Sequence, residues 1–523
     1  MTDTTSAAPP PAGRREWVGL ACLALPTLLV ALDIGALFLA LPHLSTDLHA
    51  SATQQLWITD IYGFMLAGFL ITMGTLGDRV GRRRLLLIGA AGFTAASVLT
   101  AFSTSPAMLI LARGLLGVAG ATLGPSTLAL ISNMFRQPRQ MGIAISLWAG
   151  CQFGGAALGP VIGGFMLEHF WWGSVFLLGV PFMVLLMILG PLFLPEYRDE
   201  NAARLDLVSV LMSLCAILPA IYGVKQLAAG DSGTLYVPSA AIAVGLAFGI
   251  LFVRRQLSVE HPLVDLSLFR TRAFSSALSA MMLACATFAG ASFMSSQYVQ
   301  SVLGLTPAQA GAWQAPAGAG IAAGVLLAPV LVRRFQAATV IRAGLLVSLL
   351  GLLLMTLLTS TSGPVLVSVG VGAVAIGVGP LFALGTGLIL GSAPPEKAGS
   401  AASMSETSNV FGSTMGLAIL GSVGAAVYHG RIAEHSTDPT VRQTVADAVA
   451  AAHAMPDARQ SAALLQHARV AFTDGMNTVA AIGAVVIAVL LVLTTLALRS
   501  GPAVDEAGSS HEDLAPDMSA LER

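Results

Sequence analysis

Apolar residues in this chain are collected into long runs, and short polar or basic segments separate one run from the next. A helix that crosses a bilayer needs about 20 mostly apolar residues, and the runs reach that length. The pattern predicts an all-α membrane protein with disordered tails at 1–16 and 501–523. Its fourteen predicted transmembrane helices lie at about 17–42, 54–76, 84–104, 106–132, 141–166, 172–194, 206–227, 236–254, 273–300, 308–332, 338–360, 364–391, 398–428 and 473–499.

Charge is scarce in this chain and unevenly placed. Only 10% of the residues are charged, whereas soluble domains carry roughly 25%. Most of the 26 lysines and arginines fall in alternate connecting segments, which the positive-inside rule assigns to the cytoplasm. The chain is therefore predicted to be a multi-pass protein of the cell membrane with both termini cytoplasmic. A formal net charge of −1 and the lack of a basic domain argue against nucleic-acid binding.

Three carboxylates interrupt the apolar runs: Asp33, Asp60 and Glu406. A charged side chain at the bilayer centre costs at least ~2.5–3.5 kcal/mol, so it is rarely retained without a function. Arg113, in predicted helix 4, lies at about the depth of the two aspartates by the helical rise of about 1.5 Å per residue. We therefore expect these three residues to share a cavity that Glu406 faces from the other half of the protein. This placement predicts a proton or cation pathway.

The loop between predicted helices 2 and 3 has the pattern G-x-L-x-D-R-x-G-R-R-R, which covers residues 74–84. Its glycines allow a tight turn, and its arginines suit the cytoplasmic headgroups. The pattern closely resembles the loop signature of the major facilitator superfamily, and the resemblance implies a part in the conformational change. The matching residues assigned to that role are Gly74, Asp78, Arg79, Gly81 and Arg82.

Predicted helix 5 carries a string of glycines four residues apart, a spacing that lets another helix pack closely. The string G-x-x-x-G-P-x-x-G-G at 155–164 resembles a signature of the antiporter branch of the superfamily, and this implies export. The matching residues are Gly155, Gly159, Pro160, Gly163 and Gly164. Arg113 and Gly117 likewise match the R-x-x-x-G pattern of the superfamily in helix 4, which favours a functional arginine near the proton site.

Further segments resemble the fourteen-helix drug:proton antiporters of that superfamily. Leu32-Asp33 with Ala40-Leu41-Pro42 is similar to their helix 1 motif, and residues 261–269 are similar to the link between their halves. Glycine stands at position 35, where that motif usually has threonine, so a family-typical hydroxyl near Asp33 is lost. Residues 57–62 and 405–407 resemble even more closely the exporters of quaternary ammonium compounds and dyes within that group.

The resemblance covers about residues 17–500 and implies a major facilitator fold. Two six-helix bundles are expected at 17–200 and 259–500, with two extra transmembrane helices inserted at 201–258. The second bundle includes an outer loop, 429–472, that is predicted to form a helical hairpin. The family implies a monomeric proton-coupled antiporter that exports lipophilic cationic small molecules, mainly drugs, with the proton gradient as its energy source and no cofactor.

Roles for individual residues follow from the resemblance and from the placement of charge. Asp33 is expected to be the main protonation site and to contact the substrate, and Arg113 is expected to bias its protonation. Asp60 and Glu406 are expected to recognise cations, and Asp60 also to couple to protons. Aromatic side chains offer apolar and cation–π surface to the substrate. Those assigned to the substrate site are Trp57, Tyr62, Trp148, Phe153, Trp313 and Phe411.

Two other kinds of function stay open at this level. The chain would also suit a dedicated exporter of one native metabolite, such as an antibiotic, or of a lipid. A non-transporting receptor or membrane enzyme fits less well, because the chain has no HExxH, Walker or nucleophile–base motif. Its histidines are scattered without metal-ligand spacing, so no metal site is predicted.

Overall fold

The computed structural model consists of helices and the short turns between them in the residues that it describes. These are 12–196, 206–229, 235–259, 266–391, 398–434 and 444–497, with the pair 441–442 and a few single positions between them. The predicted tails lie outside this set except for residues 12–16, and α1 already begins at Arg14. The α-helices are α1 Arg14–Leu48, α2 Ala52–Val80, α3 Arg82–Ala101, α4 Pro106–Gly120, α5 Leu123–Met134, α6 Pro138–His169, α7 Ser174–Leu177, α8 Val180–Phe193, α9 Leu207–Ala229, α10 Tyr236–Ser258, α11 Arg272–Gln297, α12 Pro307–Leu331, α13 Ala337–Met355, α14 Pro364–Gly391, α15 Ala398–Ala433, α16 Val445–Ala454 and α17 Ala458–Ala497.

Twelve segments of the described chain are long and apolar enough to cross a membrane. In this count α4 and α5 form one segment, and α7 and α8 form another. The predicted spans at 54–76 and 141–166 fall in α2 and α6, which have 29 and 32 residues but are not among the twelve. Both helices contain side chains outside the described set, so the count of fourteen spans stays a prediction.

The helices pack as two bundles with a further pair of helices beside them. Helices α1 to α8 pack mainly with one another, and so do α11 to α17. Helices α9 and α10, which correspond to the predicted inserted pair, pack against each other, and α9 also contacts α2 and α15. Phe64, Ile221 and Ala418 form a small apolar cluster from α2, α9 and α15. The inserted pair therefore lies beside the line along which the two bundles meet.

The two bundles touch mainly at one end. The distribution of arginines predicts that this end faces outside, and it is called the outer end below. There α6 packs on α12, and an added Cβ at Gly164 or Gly311 would overlap the backbone of the facing helix. Phe38 and Phe293 pack edge to face across the same seam, with ring centroids 5.6 Å apart. Toward the inner end of α6, an added Cβ at Gly154 would meet no heavy atom within 4 Å. The structure is therefore closed at the outer end and more open at the inner end.

A partly buried polar cluster joins the inner ends of α9 and α10. Asp206, just before α9, accepts hydrogen bonds from Arg255 Nη2 at 2.9 Å and from Arg255 Nε at 3.2 Å. Ser209 Oγ donates to the same carboxylate at 2.5 Å and accepts from Gln256 Nε2 at 2.7 Å. Desolvation of Asp206 opposes its ionisation, but the hydrogen bonds from Arg255 and Ser209 together outweigh it and lower the pKa of Asp206 to about 2.

We expect Asp206→Asn to lower the free energy of unfolding by about 1–2 kcal/mol, because the amide loses the charge-assisted hydrogen bonds from Arg255. A carboxylate whose pKa is lowered by folding stabilises the protein above its ordinary pKa of 3.8, and this contribution is lost as pH falls through about 2. Thermal unfolding of the detergent-purified protein at pH 7 measures the change. Glu434→Gln, at an exposed carboxylate, is the control, and an equal loss in both variants would contradict the prediction.

The predicted outer hairpin at 429–472 consists mostly of helix in its described part. Helix α15 extends into it, α17 begins within it, and α16 lies between them. Tyr428 Oη, on α15, donates hydrogen bonds to the carbonyl oxygens of Val441 and Thr444 at 3.0 and 3.1 Å. Helix α16 also contacts α17 and α1. It therefore bridges the two bundles at the outer end.

Candidate functional site

A buried ion pair lies inside the first bundle, between α1 and α4. Arg113 Nη1 donates a hydrogen bond to Asp33 Oδ2 at 3.0 Å, and Arg113 Nε donates to the carbonyl oxygen of Ile58 on α2 at 3.3 Å. The side chain of Arg113 is 1% exposed and that of Asp33 is 12% exposed. The structure therefore brings together two of the predicted site residues and leaves the carboxylate as the more accessible partner.

Aromatic rings cover the guanidinium of Arg113. Its Cζ lies 4.9 Å from the ring centroid of Tyr62 and 5.6 Å from that of Phe176. A cation over an aromatic face gains about 0.5–2 kcal/mol, with the larger values at desolvated sites. Tyr62 is one of the predicted aromatic residues, whereas Phe176, in α7, carries no sequence signal for this contact. The two rings stabilise the arginine in an apolar setting beside a titratable partner.

Glycine explains how α2 and α4 come close enough for this arrangement. An added Cβ at Gly117 would overlap the carbonyl oxygen of Tyr62, and one at Gly120 would lie 3.2 Å from Tyr62 Oη. Gly117 is the glycine of the R-x-x-x-G pattern that begins at Arg113. Because residues four apart lie on one face of a helix, the pattern places Arg113 on the face that α2 approaches.

The glycine string of α6 sets the position of α1, the helix that carries Asp33. The facing residues of α1 recur at the same four-residue spacing as the glycines: Leu28, Leu32 and Ala36 face Gly155, Gly159 and Gly163 respectively. An added Cβ at Gly159 would lie 2.7 Å from the carbonyl oxygen of Leu32, which backbone atoms do not tolerate. Asp33 follows Leu32 directly, so its contact with Arg113 depends on this close packing.

Position 35 shows why this chain departs from the threonine of the related motif. Gly35 faces Pro160 of α6, and an added Cβ would lie 2.9 Å from Pro160 Cδ. Carbon atoms pack best at about 3.5–4.0 Å, so threonine at position 35 would require α1 and α6 to move apart. The missing hydroxyl is therefore the consequence of a tighter contact between these two helices.

Asp60 lies on the other side of α2 from Arg113. It is fully buried, and its Oδ1 accepts a hydrogen bond from the hydroxyl of the preceding threonine at 3.0 Å. Asp60 and Tyr62 are two residues apart, which is roughly 200° around the helix, and Tyr62 faces Arg113. The nearby Gly63 packs on Thr414 of α15. Asp60 therefore faces the seam between the bundles, and the structure does not place it in one cavity with Arg113.

Glu406 lies toward the inner end of α15. Gly63 and Thr414 mark a point where α2 and α15 touch, and Glu406 is roughly 12 Å closer to the inner end than Thr414 by the helical rise. One turn above Glu406, Asn409 Oδ1 accepts a hydrogen bond from Cys285 Sγ of α11 at 3.3 Å. The three carboxylates therefore occupy separate places, and the described residues do not show the expected convergence on one cavity in this conformation.

The other predicted aromatic residues are spread over both bundles. Trp148 is buried in the core of the first bundle, and its indole N–H has no hydrogen-bond partner among the described residues. Trp313 lies in α12 of the second bundle, and the side chain of Phe153 lies outside the described set. The remaining two, each half-buried, are Trp57 in α2 and Phe411 in α15. Among those whose side chains the structure describes, Tyr62 contacts the ion pair.

The signature loop between α2 and α3 is held by a glutamate that the motif does not include. Gly81 has φ 113°, a conformation that favours glycine. Glu196, after α8, accepts a hydrogen bond from the backbone N–H of Arg83 at 3.1 Å and pairs with its guanidinium at 3.5 Å. Arg84 Nε lies 3.8 Å from the same carboxylate. An acidic residue at the end of predicted helix 6, on the same side as the arginine-rich loop, is the sequence signal for this contact.

The other residues of the loop signature take different positions. An added Cβ at Gly74 would lie 3.8 Å from a proline of α5, which is ordinary van der Waals contact. Arg79 is exposed. The side chain of Arg82 packs against Gly77, where an added Cβ would lie 3.0 Å from Arg82 Cδ. The side chain of Asp78 lies outside the described residues, so its role stays a prediction.

Fold and site together define the class of this protein. Two bundles of helices with a further pair beside them, a seam closed at one end, and an ion pair buried inside one bundle are the features of an alternating-access membrane transporter, not of an enzyme. Residues 23–417 match the family model described as Major Facilitator Superfamily. The chain belongs to the major facilitator superfamily and is a multi-pass protein of the cell membrane.

Relatives that are named for multidrug efflux or for resistance match most of the chain. The multidrug efflux pump LfrA of Mycolicibacterium smegmatis is 40% identical over 491 residues, which cover 93% of this chain and 97% of LfrA. The methyl viologen resistance protein SmvA of Salmonella typhimurium is 34% identical over 465 residues, 88% of this chain and 93% of SmvA. The fold is also similar to a solved structure of a bacterial homolog of the human lysosomal transporter Spinster, in an inward-facing and unoccupied conformation. The TM-score is 0.66 at 14% identity, and the match covers 94% of this chain and 100% of the homolog. That structure supports the fold.

Proposed function

We propose that this protein is a proton-coupled antiporter that exports lipophilic, mainly cationic drugs, such as quaternary ammonium compounds and dyes, by alternating access. The observation that carries the proposal is the ion pair of Asp33 and Arg113, in which the carboxylate is partly exposed and the arginine is buried. The proton gradient supplies the energy without a cofactor, and the chain works as a monomer. Both termini are cytoplasmic, and α2 and α6 complete fourteen spans.

Protonation of Asp33 is the step that links the gradient to the conformation. It turns the ion pair into a neutral carboxyl beside a buried cation, and a buried charge without its partner is costly. The protonated state therefore favours a different arrangement of α1 and α4, and loss of the proton restores the pair. Helix α1 packs on α6, and α6 packs on α12 of the other bundle. A movement of α1 is thereby transmitted to the seam between the bundles.

Glu406 supplies negative charge for a cationic substrate that enters from the inner side. It lies in the inner half of α15, away from the closed seam, and belongs to the segment 405–407 that resembles dye exporters. The relative SmvA is named for resistance to methyl viologen, which is a dication. A carboxylate on the open side attracts such a molecule without competing directly with Arg113 for Asp33.

Asp60 meets the substrate later in the cycle. It is buried in the seam while the outer end is closed. Opening of the outer end separates α2 from α15 and exposes this carboxylate to water, to protons and to a cation on its way out. Two carboxylates at different heights thus serve successive stages of export.

Transport by the purified protein in proteoliposomes tests the proposed function. With an imposed pH difference, ethidium should move in exchange for protons, and collapse of the gradient should abolish the flux. Ethidium flux that does not respond to the gradient would contradict proton coupling. Flux of a single antibiotic, with none of the cationic dyes transported, would instead favour a dedicated exporter.

We expect Glu406→Gln to weaken ethidium binding about tenfold, a loss of ~1.4 kcal/mol, because the cation loses its charged partner. Transport of an uncharged lipophilic substrate should stay within about twofold, since burial of apolar surface does not need the charge. Ethidium fluorescence titration measures the binding. Glu434→Gln, just beyond the outer end of the same helix, is the control. An equal loss for charged and uncharged substrates would show that Glu406 supports the fold instead.

A further inference from the structure

A cavity lies in the outer half of the seam, between the two bundles and beneath the beginning of α16. Its empty space is about 630 Å³, a figure that includes open solvent. Leu41 and Gln55 belong to its wall from the first bundle, and Phe293, Met294 and Gln297 belong to its wall from the second. Leu41 is about 12 Å outward of Asp33 along α1 by the helical rise. While the outer end is closed, the proposed transport steps do not use the cavity.

The lining of this cavity is polar in places but carries no charge. Among the described lining residues Tyr428 is the one titratable member, and its hydroxyl already donates to two carbonyl oxygens of the outer loop. Gln297 Oε1 is buried and has no hydrogen-bond partner among the described residues. Phe293 and Met294 add aromatic and polarizable apolar surface, which adapts to different shapes. The lining therefore suits an uncharged molecule with an apolar body and one hydrogen-bond donor.

The backbone next to the cavity has an unusual turn. Residues Tyr298–Val302 form a π-helical turn at the end of α11, and such turns occur frequently at functional sites. The turn is anchored from behind by Tyr298 Oη, which donates to two carbonyl oxygens between α13 and α14 at 2.7 and 3.1 Å. Gln297 and Ser301, on either side of that anchor, both line the cavity.

We propose that this outer cavity binds an uncharged amphipathic small molecule from the outside, and that the bound molecule inhibits export. The molecule contacts both bundles while the seam is closed, and opening of the seam would pull its two walls apart. A ligand that prefers one of two conformations shifts the population toward that conformation by its difference in affinity. The inhibition rests on the proposed function, whereas the binding itself does not.

N-phenyl-1-naphthylamine, an uncharged aromatic amine with one N–H donor, is a suitable probe. Ser301→Cys, with the four native cysteines changed to serine, reports on the cavity through labelling by a membrane-impermeant maleimide. We expect the probe to slow this labelling about tenfold. Ala425→Trp fills the cavity and should remove the protection. Ala426→Trp, at the next residue of α15 and exposed instead of lining the cavity, should keep it.

The outcomes separate binding from transport. No protection in the parent, or equal protection in the two tryptophan variants, would overturn the proposed site. Gly421→Ala is a milder variant, because its Cβ would lie 3.4 Å from Leu56 Cδ2, and it should weaken the protection without disturbing the fold. Added outside, the probe should slow ethidium efflux by Ala426→Trp but not by Ala425→Trp. Protection in a protein that shows no proton-dependent flux would refute the proposed function and leave the binding site in place.

Discussion

Asp33→Asn should abolish proton-driven export and lower the initial rate of ethidium flux at least ~100-fold, because the residue that couples the proton gradient to the conformation is lost. At ~1.4 kcal/mol for each factor of ten, this corresponds to about 2.8 kcal/mol. Asparagine keeps the size of the side chain but has no proton to exchange. It also leaves the guanidinium of Arg113, 1% exposed, without a counter-charge. The measurement is the initial rate in proteoliposomes of known protein content, driven by an imposed pH difference.

Two companion variants separate loss of proton coupling from loss of the fold. Asp47→Asn, at an exposed carboxylate near the outer end of α1, should transport like the unaltered protein. Asp33→Glu keeps a titratable carboxyl beside Arg113 and should retain more flux than Asp33→Asn. Ethidium binding by Asp33→Asn should persist, because Glu406 is untouched. Unchanged proton-driven flux in Asp33→Asn would remove Asp33 from the proton pathway.

Gly164→Val should hold the outer end of the seam open and reduce transport at least ~10-fold, because a transporter that does not close one side cannot complete its cycle. At Gly164, α6 touches α12, and any Cβ there would overlap the backbone of Pro307. Backbone atoms cannot move out of the way as the end of a flexible side chain can, so the two bundles must separate. Leu41→Cys, at a residue that is 1% exposed in the closed seam, should become accessible to a membrane-impermeant maleimide.

The same helix offers a matched control for this substitution. Gly154 lies about 15 Å farther toward the inner end, by the helical rise. An added Cβ there would meet no heavy atom within 4 Å. Gly154→Val should therefore leave both transport and the accessibility of Leu41→Cys within about twofold of the parent. If the two valine variants behaved alike, the closed seam would not depend on the contact at Gly164.

Helical spacing in the sequence predicts close contacts because it marks one face of a helix. The R-x-x-x-G pattern puts Arg113 and Gly117 on one face of α4, and α2 packs on that face with Tyr62 beside the guanidinium. The glycine string of α6 is spaced to receive α1, and α1 packs there. In both cases the local pattern is sufficient to predict the contact, because a row of glycines on one face of a helix lets another helix approach closely.

Depth along a helix, by contrast, gives the height of a residue but not the neighbour that it faces. Asp33 and Asp60 have similar predicted depths, yet one pairs with Arg113 and the other faces the seam. The difference arises because α2 turns Asp60 away from the face that holds Tyr62. The loop motif does not include Glu196 for a related reason. This residue contacts the signature loop from the end of another helix.

Hydropathy and residue spacing are enough to establish a multi-pass membrane protein, the charged groups within its spans, and the helix faces that pack closely. The packing of whole helices establishes the rest: which carboxylate has a cationic partner, why position 35 is glycine, and which end of the seam is closed. The physical reason is the range of the interactions. Hydropathy and helical periodicity are properties of one segment, whereas the ion pair joins residues 80 positions apart and the seam joins two separate bundles.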